Sequence, residues 1–278
     1  MEVPTIHVCG LAAYDGTDYF GFQVQADAPT IQGELEKALA KFSEPVGRVA
    51  GAGRTDAGVH ANGQVIAVHT KWRHDLAQLQ RAWNAHLPRS ICVRAIALAP
   101  EGFHPRFSAE KRTYRYRVVM GDGREREAAP DRSPLTDRFA WYEPSPLALE
   151  RMQEAGEYLV GEHDFASFGQ PTQGESTIRR VMAVRWQEEW CSPEVLDRYP
   201  GRRLTLTITA NGFLRRMVRS MVGTLLEVGR GRRRPNEVKD ILAARDRSLA
   251  APPAPACGLT LERVDYPSEL NLFVAGDA

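Results

Sequence analysis

The hydrophobic positions change their period in a regular order along the chain. Thr5 to Ala13 is apolar with strand-like spacing and ends in the turn Asp15-Gly16-Thr17. Thr30 then stands where a helix N-cap belongs, ahead of Ile31, Leu35, Ala38, Leu39 and Phe42 on one helical face. Arg48 to Ala50 predicts a short strand entering a loop over 51–63, and Gln64 to Thr70 predicts an apolar strand. Asp75 caps a second helix, with Leu76, Leu79, Trp83 and Leu87 at helical spacing, and Ile91 to Ala99 returns to strand. The order is βαββαβ.

The rest of the chain repeats that order. Arg112 to Met120 alternates as a strand, and a polar, proline-containing connection runs from Gly121 to Pro146. Ala148, Met152, Ala155 and Leu159 mark a helix; Ile178 to Gln187 and Arg203 to Ala210 are strands. Phe213 to Val228 predicts a strongly apolar helix, Asn236 starts a shorter one, and Gly258 to Tyr266 is the last strand, giving βαββααβ. The pattern predicts an α+β fold of two ferredoxin-like, RRM-like halves, 1–104 and 105–278. Their antiparallel sheets can join into one extended sheet with helices on one side. The repeat is one of topology, not of residues. Such a fold hosts many functions, among them sheets that offer an open face to RNA.

Composition narrows the class. At 278 residues with 43% hydrophobic and 26% charged positions the chain is globular. No apolar run is long enough to span a bilayer, and the start Met1-Glu2-Val3-Pro4-Thr5 lacks the pattern of a signal peptide. Cys9, Cys92, Cys191 and Cys257 form no Cys-x-x-Cys pair, so neither a metal site nor a disulfide framework is expected, and the expected compartment is the cytoplasm. A net charge of +1 does not by itself point to nucleic acid. The cations, however, are nearly all arginines, which suit bidentate phosphate contacts and stacking on bases.

Four segments could carry chemistry. In Gly51-Ala52-Gly53-Arg54-Thr55-Asp56-Ala57-Gly58-Val59-His60, glycines bracket an Arg, a Thr, an Asp and a His. A solvated turn is the plain explanation of any one Asp-Ala-Gly, but the density of functional side chains favours a site around Asp56. No Gly-Lys-Ser/Thr follows, so this is not a P-loop. The second segment runs from Phe103-His104-Pro105-Arg106-Phe107-Ser108 into Lys111-Arg112-Thr113-Tyr114-Arg115-Tyr116-Arg117. On a strand Tyr114, Tyr116 and Val118 share one face and Thr113, Arg115 and Arg117 the other. That is either an RNA-binding interleave of rings and cations or a Tyr-lined core with a solvated Arg face. The third, Asn211 to Arg219, places Leu214, Met217, Val218, Met221 and Leu225 in a buried stripe and Arg215 and Arg219 as i,i+4 neighbours on a helix. A partly buried Arg219 needs an anionic partner, for which Asp56 is a candidate. The fourth, Gly229-Arg230-Gly231-Arg232-Arg233-Arg234, either holds phosphate, the favoured reading, or solubilises a helix end. Tyr19, Phe20 and Phe22 in the loop 16–25 reach RNA or pack inward.

Taken together the motifs resemble the tRNA pseudouridine synthase A family. The matching segments are Tyr14-Asp15-Gly16-Thr17, Ile31-Gln32-Gly33, Gly51 to His60, Phe107-Ser108-Ala109, Tyr114-Arg115-Tyr116, His163-Asp164-Phe165 with Phe168, Met217-Val218-Arg219 and Gly258-Leu259, in the family's order along nearly the whole chain. The family often carries aromatic or His residues where Arg215 and Arg216 stand, and the stretch 187–202 and the tail after Tyr266 match no motif. The resemblance implies conversion of uridine to pseudouridine at positions 38, 39 and 40 of the tRNA anticodon stem-loop, by a homodimer without metal or cofactor. It implies that Asp56 is the catalytic carboxylate, Tyr114 the ring on the target base and Arg219 the cation paired with the carboxylate. It also makes Arg54, Arg106 and Asp164 to Phe168, including Phe165 and Ser167, tRNA-contacting positions, alongside the Phe103, His104 and Phe107 segment. Two alternatives stand beside it: a non-catalytic RNA-binding protein with two RRM-like sheets, and a small-molecule hydrolase using Asp56 and His60.

Overall fold

The computed structural model describes residues 3–120, 136–171, 174, 176–191, 201–270 and 272–273. The expected connection 121–146 lies partly outside the described residues, as does the motif-free stretch 187–202. The strands are β1 (Thr5–Tyr14), β2 (Glu44–Gly51), β3 (His60–Lys71), β4 (Ile91–Leu98), β5 (Lys111–Met120), β6 (Trp141–Glu143), β7 (Gly161–Asp164), β8 (Ile178–Cys191), β9 (Gly201–Ala210) and β10 (Leu259–Asp265). The helices are α1 (Ile31–Leu39), α2 (Leu76–His86), α3 (Leu149–Glu157), α4 (Met217–Gly229) and α5 (Glu237–Ala244). The fold is therefore α+β, with mostly antiparallel pairing. The chain forms two compact units, Met1–Arg112 with Leu261–Ala278, and Thr113–Thr260.

In the first unit the strands run β4-β1-β3, with β2 also on β3 and these pairs antiparallel. The order of the elements along this unit is the expected βαββαβ. The edge of β3 away from β1 is shared. Residues Ile66 to Lys71 pair with β2, while near the start of the strand Asn62 Nδ2 donates to Glu262 Oε2 of β10 at 3.1 Å. Both helices start where their caps predict: Thr30 Oγ1 accepts from Gly33 N–H at 3.3 Å and Asp75 Oδ1 from Gln78 N–H at 2.6 Å. Ile31, Leu35, Leu39, Leu79 and Trp83 are fully buried, and the Trp83 indole N–H donates to Leu35 O at 3.0 Å, joining the two helices.

The second unit has the strand order β5-β9-β8-β7, with β6 parallel to β5. Strands β6 and β7 are additions to the expected βαββααβ order; at three and four residues each is too short to show a period of two. Helix α4 is buried on nearly all sides, from Met217 through Val228, so the expected apolar stripe widens to a fully enclosed helix. It begins at Met217, not Phe213. Arg215 exchanges backbone hydrogen bonds with Gln170, its N–H donating to Gln170 O at 3.1 Å, and Arg216 is left-handed with φ 62°. A left-handed L-residue cannot continue an α-helix inward. Arg215 and Arg219 are thus not i,i+4 neighbours on one helix; Arg215 and Arg216 are exposed and Arg219 sits in the first turn.

Candidate active site

The glycine-bracketed loop connects β2 to β3. The strand β3 begins at His60, so the loop is shorter than the expected 51–63. Its conformation is tied down from three sides within the first unit. Fully buried Gln64 reads the backbone of Gly53 twice: Nε2 donates to Gly53 O at 2.7 Å and Oε1 accepts from Gly53 N–H at 3.3 Å. The Tyr14 hydroxyl lies 2.8 Å from Thr55 Oγ1 and accepts from Gln64 Nε2 at 3.4 Å. Burial pushes that phenol up to about 12, so it is a neutral hydrogen-bonding group. The segment after β1 wraps the loop, with Phe22 N–H donating to Thr55 O at 3.0 Å and Gly58 N–H to Tyr19 O at 3.2 Å. Gly21 makes this wrapping feasible: it holds φ 97°, and a Cβ there would lie 2.6 Å from Thr55 O.

Within this clasp the side chains alternate in direction. Arg54 is exposed, Thr55 is buried, and Asp56 is half-buried, its carbonyl accepting from Val59 N–H at 3.1 Å to close the turn. The loop therefore presents a carboxylate and a guanidinium on a rigid backbone, with buried Thr55 as the anchor between them. His60 is buried, with Nδ1 accepting from Gly16 N–H at 3.1 Å and lying 3.2 Å from Asp15 Oδ1. These contacts tie His60 to the turn that follows β1. Of the three aromatics in the wrapping segment, Tyr19 and Phe22 pack inward and Phe20 is exposed.

In the same unit Phe103 is buried against Tyr266, at 5.2 Å between ring centroids, while His104 and Arg106 are half-buried and Phe107 is 74% exposed. Arg112 Nη2 donates both to Ala52 O at 3.1 Å and to Arg106 O at 2.6 Å, joining the Phe107 loop to the start of the Asp56 loop.

In the second unit β5 alternates as predicted. Tyr114, Tyr116 and Val118 are buried, and Thr113, Arg115 and Arg117 are half-buried. Tyr116 is a core residue: its hydroxyl donates to Pro255 O at 3.0 Å and burial pushes its pKa well up. Tyr114 meets the Phe213 ring edge-on at 5.2 Å. Arg219 Nε donates to Ala254 O at 2.7 Å, and Ala254 N–H donates back to Arg219 O at 2.8 Å. Phe165, Ser167 and Phe168 are fully buried, Ser167 Oγ donating to Ile241 O at 2.6 Å, so these side chains are packing groups. Asp164 accepts from Ala166 N–H and lies 3.2 Å from Arg245 Nε. The hydrogen bond from Thr177 is the chief reason that its carboxyl titrates below the usual range.

In the basic run 230–234, Arg230, Arg232 and Arg234 have carboxylate partners. Arg230 is paired with the buried Glu143 and, at 2.6 Å, with Glu227; Arg232 lies 3.3 Å from Glu227 and Arg234 3.0 Å from Glu237. Reading the sequence missed Gln64 and Glu143. Gln64 was legible as a polar residue opening an apolar strand, whereas Glu143 carries no local signal, because its partner Arg230 is far along the chain.

Among the described residues no group of three or more His, Cys, Asp or Glu side chains is arranged to hold a metal ion, and no helix is long and apolar enough to cross a membrane. A family model described as tRNA pseudouridine synthase matches residues 11–108 and 155–267. The tRNA pseudouridine synthase A of Chloroflexus aurantiacus is 43% identical over 266 residues, covering 95% of this chain and 90% of the relative. That of Brevibacillus brevis is 42% identical over 259 residues, covering 91% and 97%. That of Vibrio cholerae is 40% identical over 260 residues, covering 93% and 91%. The segments that the family model matches include the Asp56 loop and α4, and the chain belongs to the tRNA pseudouridine synthase A family of isomerases.

Proposed function

We propose that this enzyme isomerises uridine to pseudouridine at positions 38, 39 and 40 in the anticodon stem-loop of tRNA, with Asp56 as the catalytic carboxylate. The observation that supports this reading best is the Asp56 loop. A half-buried carboxylate is held on a backbone that Gln64, Tyr14 and the segment 16–22 pin at several points. Rigid presentation of one reactive group is what a site needs when the bound base must be released and recaptured without drifting.

The reaction breaks the N1–C1′ bond, turns the uracil within the site and forms the C5–C1′ bond, C5 losing its proton and N1 gaining one. A paired base must leave the stack first, at a cost of a few kcal/mol. Asp56 acts at the ribose, either attacking C1′ or removing the 2′ proton to start elimination. Tyr114 and Arg219 take their roles from the motif match: Tyr114 holds its ring against the target uracil, and Arg219 keeps the catalytic carboxylate ionised. Arg54 and Arg106 serve the tRNA backbone, and the functional assembly is a homodimer. The buried Phe165, Ser167 and Phe168 shape the surface that meets tRNA from beneath, and the partly exposed Asp164 contacts it.

The test is to map pseudouridine in tRNA treated with wild type and with Asp56→Asn. Wild type modifies positions 38 to 40, whereas Asp56→Asn binds tRNA without turnover. Appreciable pseudouridine from Asp56→Asn overturns the assignment of Asp56, and modification confined to other positions overturns the substrate assignment.

A further inference from the structure

We propose that Phe107, flanked by His104 and Arg106, is a preorganised platform on which one unpaired nucleobase of the tRNA stacks, and that Arg112 is the positioning residue that locks this platform to the Asp56 loop. The proposal rests on tRNA being the substrate. It adds a base-binding site separate from the pocket of the target uracil.

Phe107 is the most exposed of the large apolar side chains described, at 74%. Exposed rings commonly sit on mobile tips, but this one is carried by a heavily fastened backbone. His104 Nδ1 accepts from both Arg106 N–H at 3.1 Å and Phe107 N–H at 3.3 Å. His104 N–H donates to Ser108 Oγ at 3.1 Å, and Ser108 N–H donates to His104 O at 3.0 Å. From outside the loop, Tyr266 Oη donates to Pro105 O at 2.7 Å, and Arg112 donates to Arg106 O and, at 3.4 Å, to Ala109 O. The conformational cost of presenting the ring is thus met in the free protein.

The neighbours of the ring define its occupant. The His104 ring lies 4.4 Å from the Phe107 centroid, tilted by 34°, and the Arg106 guanidinium carbon lies 5.5 Å from that centroid. A ring flanked by a cation and an imidazole suits a flat π-system joined to phosphate better than an aliphatic partner. Arg54 on the Asp56 loop is a further exposed cation of this unit. Because one guanidinium holds both Ala52 O and Arg106 O, a base stacked on Phe107 is held in fixed register with the loop that carries Asp56.

The experiment measures tRNA affinity, kcat and KM for Phe107→Leu, Phe107→Tyr, Phe107→Trp and Arg112→Lys in the full chain. Stacking on one base is worth about tenfold or more in affinity. Phe107→Leu should therefore raise Kd and KM about tenfold, with kcat at saturating tRNA within twofold of wild type, and Phe107→Tyr should restore both. The Phe107→Trp indole should lose emission when tRNA binds, beyond the change that wild type shows. Arg112→Lys keeps the charge but loses the Nη1 donor to Ala109 O and the planar geometry that aims Nη2 at both carbonyls; it should lower kcat while leaving the salt dependence of affinity unchanged. Phe107→Leu with wild-type KM, or Phe107→Trp without added quenching, overturns the platform, as does a change in oligomeric mass in Phe107→Leu that accounts for its KM. Arg112→Lys with wild-type kcat overturns the positioning role. Introducing Asp56→Asn into Phe107→Trp separates the two readings. Quenching retained without turnover supports both, whereas turnover retained with quenching sinks only the role of Asp56.

Discussion

Replacing Gln64 by leucine tests whether the Asp56 loop is rigid because of this one side chain. Leucine nearly matches glutamine in volume, so packing at this fully buried position is preserved. What is lost is the donor to Gly53 O at 2.7 Å, the acceptor for Gly53 N–H at 3.3 Å and the donor to the Tyr14 hydroxyl at 3.4 Å. Each buried group left without its partner costs about 1–3 kcal/mol. Gly53 is only half-buried, so water recovers part of that cost, and the 3.4 Å contact is weak. The expected destabilisation is therefore about 2–3 kcal/mol. It should appear as a Tm lower by roughly 5–10 °C in the transition of the first unit. The loop should loosen more than the sheet beneath it. Hydrogen exchange should show the Gly53 amide losing protection while the β1–β3 amides keep theirs, and kcat should fall by about tenfold or more, since small displacements of a reacting group are costly. Affinity for tRNA should stay within twofold. Tyr14→Phe, which removes only the hydroxyl bonded to Thr55, should cost about 1 kcal/mol in the same assays. A Gln64→Leu enzyme with wild-type Tm, protected Gly53 and full turnover would refute the reasoning.

Three further outcomes follow from the same structure. Glu143→Gln removes the buried charged partner of Arg230, which retains Glu227, and should cost about 2–3 kcal/mol in urea unfolding while tRNA affinity is unchanged; a weakened affinity at unchanged stability would instead tie Arg230 to tRNA binding. Gly223→Ala would place a methyl 2.1 Å from Pro252 O, so the segment 252–255 that accepts the Arg219 Nε bond must shift, lowering stability by about 1–3 kcal/mol and kcat with it; a wild-type Tm and kcat would show that the segment yields freely. Burial holds His7 and His104 below the ordinary histidine value of 6.5, with the neighbouring His69 and Arg106 as the next causes respectively. Their neutral forms are favoured by folding, so their contribution is complete above pH 6.5 and lost as pH falls through the lower folded values. Tm should drop between pH 7 and pH 5, less steeply in His104→Gln, and equal slopes in the two proteins would remove His104 from the account.

Local patterning by itself determined the order of the longer elements, the two capped helices and the alternation of β5. Each depends on neighbours within a few residues: Thr30 on Gly33, Asp75 on Gln78, and Tyr114, Tyr116 and Val118 on a period of two. The run from Gly51 to His60 likewise marked Asp56 as the candidate centre, because glycines around functional side chains are visible without a fold. What only the tertiary structure decided are matters of partnership between distant positions. His60 is a buried partner of Gly16, Phe165 and Phe168 are core, and Arg230 is matched by Glu143 far along the chain. Helix α4 starts four residues later than its apolar pattern because a bridge between Gln170 and Arg215 claims the backbone that a first turn would need. A hydrogen bond or ion pair between residues far apart in sequence leaves no period to read. The sequence therefore located the loop of Asp56, while the fold decided which residues hold it still.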